Sequence, residues 1–319
     1  MNVWRFNVHT HKGAEEQKKV FEYCKENRII GTGWKIAEGL MSSKKEEISD
    51  EEFNNRVNQH KKRKDFIGFK RAMNFLREME IDDLIWTRIN NHYYLCRVTG
   101  KAKEFLKGER DKEIESDSYD IWHYVPCEFV EVGTEEKVIG AIVRSFNMGV
   151  VCHIRGNGAE DLVKEFSKRA YNKYSGKEHY GTSVIHYKEE NLWSILGAME
   201  IEELVGLYMQ IKLNYGVYTS TNKRDTKEYE FVLFKRDNPK EKAKLQVKTS
   251  NINLDLYNYD DSVFYFFTTG KYSKNGKTLT ENELQEFEKN NNAKIISKEE
   301  LLDFVKNNKD VLPYKLNWF

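Results

Sequence analysis

The alternation of apolar and polar positions in the second half of the chain predicts a hairpin of two strands. We expect the strands at Tyr229–Phe234 and Ala243–Ser250, joined by a turn at residues 237–239. Because successive side chains of a strand point to opposite faces, Gln246 and Lys248 share one face. An acid of the first strand, an amide and a lysine are therefore predicted to meet at one edge of a core.

The elements around this hairpin follow an α/β order. A helical region is predicted from Glu190 to about Leu213, followed by a strand that begins at Tyr215 and runs into a loop. The apolar run Val263–Thr268 predicts a buried strand, and a helix is expected at about Lys298–Asn307. Helices and strands in this order are typical of an α/β domain.

The first half of the chain predicts a small, mostly β domain that also contains helices. They are expected at Ala14–Asn27, opening in the acidic stretch Ser42–Glu52, and at about Phe66–Met79, the last with apolar residues at three- and four-residue spacing. Strands are expected at Met1–Val8, Ile81–Arg88, His92–Gly100 and Asp120–Tyr124, and near Phe129 and residues 149–154. The fold class predicted for the whole chain is thus α/β and α+β.

A glycine-rich break, Gly156-Asn157-Gly158, separates the two halves. After it we expect a helix from about Ala159 to Tyr174 and then a polar stretch. The predicted organisation is a first domain over residues 1–156, a connector over residues 157–190 and a second domain over residues 191–319.

The composition fits a globular protein with room for two domains. The chain has 319 residues, of which 39% are hydrophobic and 32% charged. Neither a signal peptide nor a membrane-spanning run is evident, so we expect a cytoplasmic protein without a membrane partner. Four widely spaced cysteines without a Cys-x-x-Cys pair argue against a zinc ribbon and favour reduced, mostly buried thiols.

The net charge of +1 gives no general argument for nucleic-acid binding. One local cluster between residues 60 and 71 has six basic residues and one acid, namely Lys61, Lys62, Arg63, Lys64, Lys70 and Arg71 with Asp65. Such a cluster either neutralises phosphates or forms a solvated helix or loop face, and the sequence leaves both interpretations open.

The acid, amide and lysine of the hairpin are the groups that a metal-dependent phosphodiesterase needs. Mg²⁺ prefers oxygen ligands, which Glu230 and Gln246 would supply as a carboxylate and an amide oxygen. Lys248 would stabilise charge on the phosphate or orient water. The alternative is an ordinary hairpin with a solvated face, since charged residues are frequent enough in this chain for the spacing to arise by chance.

Three tryptophans recur at strand or loop-edge positions of the first domain. Trp34, Trp86 and Trp122, together with Tyr94, are candidates for a pocket that stacks a flat base, because aromatic faces bind bases and can hold a flipped one. They could equally be core residues, which is the more frequent role of a tryptophan in a small β domain.

Residues 191–319 contain, in order, a helix with an acid, an acidic strand, a turn and a strand that ends in Gln-x-Lys. These motifs are Ile201–Val205 with Glu202, then Glu230, and finally Gln246 with Lys248. The order resembles the PD-(D/E)xK nuclease superfamily, in the Mrr-like variant in which glutamine replaces the second acid. The resemblance implies a restriction-endonuclease-like α/β domain that uses Mg²⁺, with all four residues catalytic and Glu230 and Gln246 as metal ligands.

One departure from the family pattern concerns the central acid. The proline-aspartate of the family name is absent, because Tyr229-Glu230 stands in its place. This leaves Glu228 and Asp225 open as alternatives to Glu230, although Glu230 directly precedes the apolar strand.

The N-terminal half contains a second set of motifs. They are Val3-Trp4-Arg5, Ile30-Gly31-Thr32-Gly33-Trp34, Asp83–Arg88 and Tyr93–Gly100. This set resembles PUA-like modules of the EVE and YTH kind. The resemblance implies recognition of modified bases by flipping them into an aromatic cage, for which Trp34, Trp86, Trp122 and Tyr94 are the candidates.

Together the two resemblances imply a modification-dependent restriction endonuclease. Its expected partner is double-stranded DNA that carries modified bases, and cleavage of both strands by a single active site suggests a homodimer. The alternatives are a catalytically inactive protein that binds modified nucleic acid, and a nuclease or toxin directed at RNA.

Overall fold

The structure, a computed structural model, consists of two compact units, Met1–His186 and Tyr187–Phe319. It describes residues 1–8, 13–32, 51, 54–55, 58, 61–62, 66–104, 119, 121, 123–147, 149–155, 159–183, 191–218, 229–249, 253–256 and 262–311. Both units combine helices with sheets, which confirms the mixed α/β class predicted from the sequence.

A seven-stranded sheet lies at the centre of the first unit. Its strands are β1 Val3–Phe6, β2 Ile29–Thr32, β3 Leu84–Ile89, β4 His92–Val98, β5 Lys103–Glu104, β6 His123–Gly133 and β7 Val151–His153. Their order is β2-β6-β4-β3-β1-β7, with β5 also paired to β6, and only the β1–β3 pair is parallel among these described strands. The separate strands expected at residues 120–124 and near Phe129 are one continuous strand, β6.

Helices cover both faces of this sheet. They are α1 Ala14–Glu26, α2 Phe66–Glu78, α3 Gly140–Ser145 and α4 Glu160–Ser175, with a short 3₁₀ turn at Glu135–Lys137. Phe21 of α1 and Met73 of α2 pack with Tyr94 on one face. Phe166 of α4 stacks on Trp86 on the other face. The central strands of the first unit are therefore buried between two layers of helices.

The helix α4 lies at the predicted position but belongs to the first unit, whereas we expected residues 157–190 to be a connector. The indole Nε1 of Trp86 donates a hydrogen bond to Ser167 Oγ at 2.9 Å, and both residues are fully buried. Because the apolar side of α4 covers the sheet, the first unit extends to His186, beyond the predicted end at residue 156.

The second unit is built on a five-stranded sheet. Its helices are α5 Leu192–Ile195, α6 Ala198–Ile211, α7 Glu281–Asn290 and α8 Lys298–Asn307, and a 3₁₀ turn follows at Lys309–Val311. Its strands are β8 Tyr215–Tyr218, β9 Phe231–Lys235, β10 Lys242–Lys248, β11 Leu254–Asp255, β12 Val263–Thr268, β13 Tyr272–Lys274, β14 Lys277–Thr278 and β15 Ala293–Ile295. The sheet has the order β15-β12-β10-β9-β8, and β11-β13-β14 form a second, small sheet.

The direction of the strands changes at β10. This strand runs parallel to β12, which is parallel to β15, and antiparallel to β9, which is antiparallel to β8. The strand β12 and the helix α8 lie at the residues predicted for them. The strand β10 is thus central, with a hairpin partner on one side and a distant parallel partner on the other.

The long helix predicted from Glu190 to Leu213 is two helices, because the chain leaves the helical conformation at Leu196 and Gly197. The carboxylate of Glu200 accepts a hydrogen bond from the Gly197 N–H at 2.7 Å, so the new helix begins with a satisfied backbone donor. Apolar residues of α6 then pack in the core between α6, α8 and the sheet.

We expect Ser167→Ala to lower the free energy of unfolding of the first unit by about 1–3 kcal/mol, because the buried indole N–H of Trp86 loses its acceptor. Urea denaturation followed by circular dichroism measures the change. Ser145→Ala is the matched control, since the Ser145 hydroxyl donates only to Ile142 of its own helix and is half-buried. Its expected effect is within about 0.5 kcal/mol, and equal effects of the two variants would contradict the role given to Ser167.

Candidate active site

The alternation of β10 separates core residues from candidate site residues. Leu245 and Val247 are buried in the core against the helices. Gln246 and Lys248 point to the opposite face, as the pattern of the strand predicts. Gln246 is only 2% exposed and pairs with Phe266 of β12, so its amide lies at the base of the site.

Glu230 lies immediately before β9 and beside this face. Its N–H donates to the carbonyl oxygen of Leu245 at 2.8 Å, next to the paired residues Phe231 and Leu245. This contact attaches the backbone of Glu230 to β10. Its carboxylate Oε1 lies 3.2 Å from Nζ of Lys248. The side chain of Glu230 is 9% exposed and that of Lys248 is 37% exposed, so the lysine lies at the opening of the site and the acid lies deeper.

The second acid comes from the helix α6. Glu202 is half-buried, whereas its neighbour Glu203 is exposed, which favours Glu202 as the site residue. Burial raises the pKa of the Glu202 carboxyl, and the negative charge of Glu230 raises it further, while the Lys248 ammonium lowers it. The helix α6 packs against β10, and the carboxyl of Glu202 is within electrostatic range of Glu230 and Lys248.

The four residues singled out from the sequence therefore form one cluster, which we call the acidic cluster: Glu202, Glu230, Gln246 and Lys248. Two carboxylates face a single ammonium group, so the cluster carries excess negative charge when both acids are ionised. The alternative acids Asp225 and Glu228 lie outside the described residues.

The oxygen donors of the acidic cluster suit a hard divalent cation. Two carboxylates and an amide oxygen are ligands that Mg²⁺ accepts, and a cation would relieve the repulsion that raises the Glu202 pKa. Within the described part of the chain, no group of three or more His, Cys, Asp and Glu side chains is arranged to hold a metal. The acidic cluster has two such side chains, Glu202 and Glu230, and Gln246 adds an amide oxygen.

The buried position of Trp86 and Tyr94 contradicts their assignment to one base-binding cage. Thr87 pairs with Tyr94 and Trp86 with Leu95, so the two aromatic side chains point to opposite faces of the sheet. Trp86 is fully buried against α4, and Tyr94 packs against Phe21 with 7% of its surface exposed. Both are core residues. Trp34 and Trp122 lie outside the described residues.

The cysteines and the basic cluster lie in different environments. Cys24, Cys96 and Cys127 are buried free thiols, as expected, and burial raises the pKa of Cys24 and of Cys96. In the basic cluster of residues 60–71, the described residues Lys61, Lys62, Lys70 and Arg71 are exposed.

One neighbour of the acidic cluster was not singled out from the sequence. Thr268 pairs with Lys248 across the parallel strands β10 and β12, and it is 1% exposed. Its hydroxyl accepts a hydrogen bond from the Gly270 N–H at 3.0 Å, which stabilises the end of β12 beside the lysine. In the sequence, Thr268 is marked only by its position at the end of an apolar strand. Its place beside Lys248 follows from the pairing register of β10 and β12, which the sequence does not give.

Comparison with known proteins finds no relative of this chain among family models or curated proteins. Among the described residues, every helix is too short or too polar to cross a membrane.

We expect Glu202→Gln to stabilise the protein at pH 7 in the presence of a chelator. The raised pKa means that ionising this carboxyl costs more in the folded than in the unfolded state, so wild-type stability falls as the pH rises through the folded pKa. The neutral amide avoids this cost. The stabilisation should vanish below about pH 4, where the carboxyl is protonated in both states.

Thermal unfolding of both proteins between about pH 3 and pH 8 measures this difference. Glu203→Gln, on the exposed neighbour, is the control and should leave the midpoint nearly unchanged. A lower midpoint for Glu202→Gln at pH 7 would show that the carboxylate is stabilising and would contradict the crowding of charge at this site.

Proposed function

We propose that the chain is a Mg²⁺-dependent DNA endonuclease that hydrolyses phosphodiester bonds at the acidic cluster. The observation that carries the proposal is the contact of Lys248 with Glu230, beside the buried amide of Gln246 and close to Glu202. A solvated hairpin face would leave these polar groups apart and exposed. Here a helix, the start of one strand and the end of another bring them together.

The charge of the acidic cluster supports a need for a cation. Two carboxylates and one ammonium group would repel the phosphates of a nucleic acid if nothing else were bound. Glu230, Gln246 and Glu202 would hold Mg²⁺, which when bound stabilises negative charge on phosphate oxygens and lowers the pKa of a coordinated water. The depth of Glu230 fits a ligand, because a buried carboxylate is held in one geometry.

Lys248 has a different role in this proposal. Its side chain is more exposed than that of Glu230, so its ammonium can reach a phosphate oxygen or a water while Glu230 keeps it oriented. A positive charge there stabilises charge that develops on the phosphate during hydrolysis. In this proposal the lysine contacts the substrate, and the more deeply buried acids bind the metal ion.

The substrate that we propose is foreign DNA that carries modified bases, such as phage DNA, which makes the protein similar in action to type IV restriction enzymes. This part rests on the resemblance of the N-terminal half to modules that read modified bases. Because Trp86 and Tyr94 are core residues, a reading pocket would use Trp34, Trp122 or other side chains. A homodimer, with one acidic cluster in each copy, would cleave both strands together.

We expect Lys248→Ala to reduce DNA cleavage at least about a hundredfold, in the range found when a single preorganised donor is removed, while DNA binding is retained. The test incubates wild type and variant with Mg²⁺ on modified phage DNA and on an unmodified amplified copy of it. Cleavage of the modified DNA alone by the wild type supports both parts of the proposal.

Lys277→Ala is the matched control, since Lys277 belongs to the same unit and also pairs with a glutamate, Glu283, but at the surface. It should cleave like the wild type. Full activity of Lys248→Ala would overturn the assignment of the acidic cluster. Equal cleavage of both DNAs by the wild type would keep the nuclease and remove the recognition of modified bases.

A further inference from the structure

The sheet face that carries Gln246 and Lys248 continues away from the acidic cluster over β8, β9 and β10. Tyr218 and Phe234 are on this face of β8 and β9, and Lys242 and Lys244 are on this face of β10. Tyr218 is 40% exposed, and Lys242 is exposed. A surface of exposed and half-buried aromatic and basic residues therefore adjoins the candidate active site. We call Lys242, Lys244 and Lys248 the lysine row.

The first member of the lysine row is oriented by aromatic rings. The Lys242 ammonium lies 4.8 Å from the ring centre of Tyr218 and 5.5 Å from that of Phe234, and it donates a hydrogen bond to the Tyr218 hydroxyl at 2.6 Å. Cation–π contacts hold an ammonium without neutralising its charge. Among the described carboxylates, none forms an ion pair with Lys242.

The second member has a similar environment. The Lys244 ammonium lies 5.1 Å from the ring centre of Tyr229 and 5.2 Å from that of Phe264. The rings hold the ammonium groups of Lys242 and Lys244 in place and do not neutralise their positive charge.

A glycine permits this arrangement. The ring of Phe234 lies directly over Gly216 of β8, where an added Cβ would overlap the ring. Any larger residue at position 216 would displace the Phe234 ring and with it one of the two rings that hold Lys242.

The dimensions of the lysine row suit an extended polyanion. Alternate residues of a strand are about 6.7 Å apart, so Lys242 and Lys248 are about 20 Å apart. This is the axial rise of about six phosphates along one strand of a duplex. The surrounding hairpin, residues 235–248, has six basic residues, Lys235, Arg236, Lys240, Lys242, Lys244 and Lys248, and two acids, Asp237 and Glu241.

We propose that the lysine row binds the phosphate backbone of the substrate strand and leads it to the acidic cluster. This inference rests on the proposed nuclease function, and it adds the surface along which the nucleic acid lies. Lys242 and Lys244 contact phosphates outside the reacting one, whereas Lys248 serves the reacting phosphate. Such contacts are independent of base sequence and weaken with salt.

The test measures binding of a fluorescent 20-base-pair duplex to the full chain by anisotropy, in EDTA and at several NaCl concentrations. The variant combines Lys242→Gln with Lys244→Gln, which keeps most of each side chain and removes its charge. At 0.1 M salt we expect the variant to bind the duplex at least about tenfold more weakly than the wild type. The slope of log affinity against log salt concentration should be smaller in magnitude by about 1.8. Circular dichroism checks that the variant folds.

Two control variants test whether binding depends on the positive charge at this face or on the net charge of the protein. Lys242→Arg with Lys244→Arg keeps the charge and should bind like the wild type. Lys277→Gln with Lys289→Gln removes two exposed lysines elsewhere in the unit and should leave the salt slope unchanged. Unchanged binding by the glutamine variant, or equal loss in the arginine variant, would overturn the proposal.

Cleavage with Mg²⁺ is measured in parallel, so the two proposals can fail separately. If the wild type cleaves and the glutamine variant binds normally, the lysine row is wrong and the nuclease assignment stands. If the wild type binds through the lysine row but cleaves neither DNA nor RNA, the surface stands and the nuclease assignment fails. A wild type that binds no duplex overturns the lysine row directly.

Discussion

The candidate site depends on the pleat of one central strand. Burial of Leu245 and Val247 in the core forces Gln246 and Lys248 onto the opposite face, and the hydrogen bond from Glu230 N–H to Leu245 attaches the acid at the same place. A shift of β10 by one residue would exchange the two faces and bury the lysine. The hydrophobic core of the second unit therefore determines the chemistry of its surface.

Two kinds of lysine result from this arrangement. Lys248 contacts a carboxylate and is electrostatically part of the acidic cluster, whereas Lys242 and Lys244 lie over aromatic rings. All three lie on the same face of one strand, and their partners change from aromatic rings to a carboxylate along about 20 Å. The acids gather charge at one end, where Glu202 has a raised pKa because of burial and Glu230.

Sequence patterns predicted elements best where a single signal was strong. The apolar run of β12 and the capped, amphipathic α8 lie at the predicted residues, and the alternation of β10 placed Gln246 and Lys248 correctly.

The helix α7 was missed because it is mainly polar and buries only Phe287. Trp86 was misassigned because a strand buried on both faces has no polar side, and only the packing of α4 shows where its indole points. Pairing across distant strands, as for Thr268, cannot be derived from local pattern.

The parallel pairing of β10 with β12 has a consequence for how the protein is made. The hairpin of β9 and β10 closes locally, but Gln246 becomes buried only when Phe266 of β12 pairs beside it, and β12 in turn pairs with β15 and Ala293. Such non-local contacts form late in folding. During synthesis from the N-terminus, the acidic cluster is thus completed only after residues far beyond Lys248 have been added. A chain interrupted before β12 would contain all four cluster residues without the sheet that assembles them.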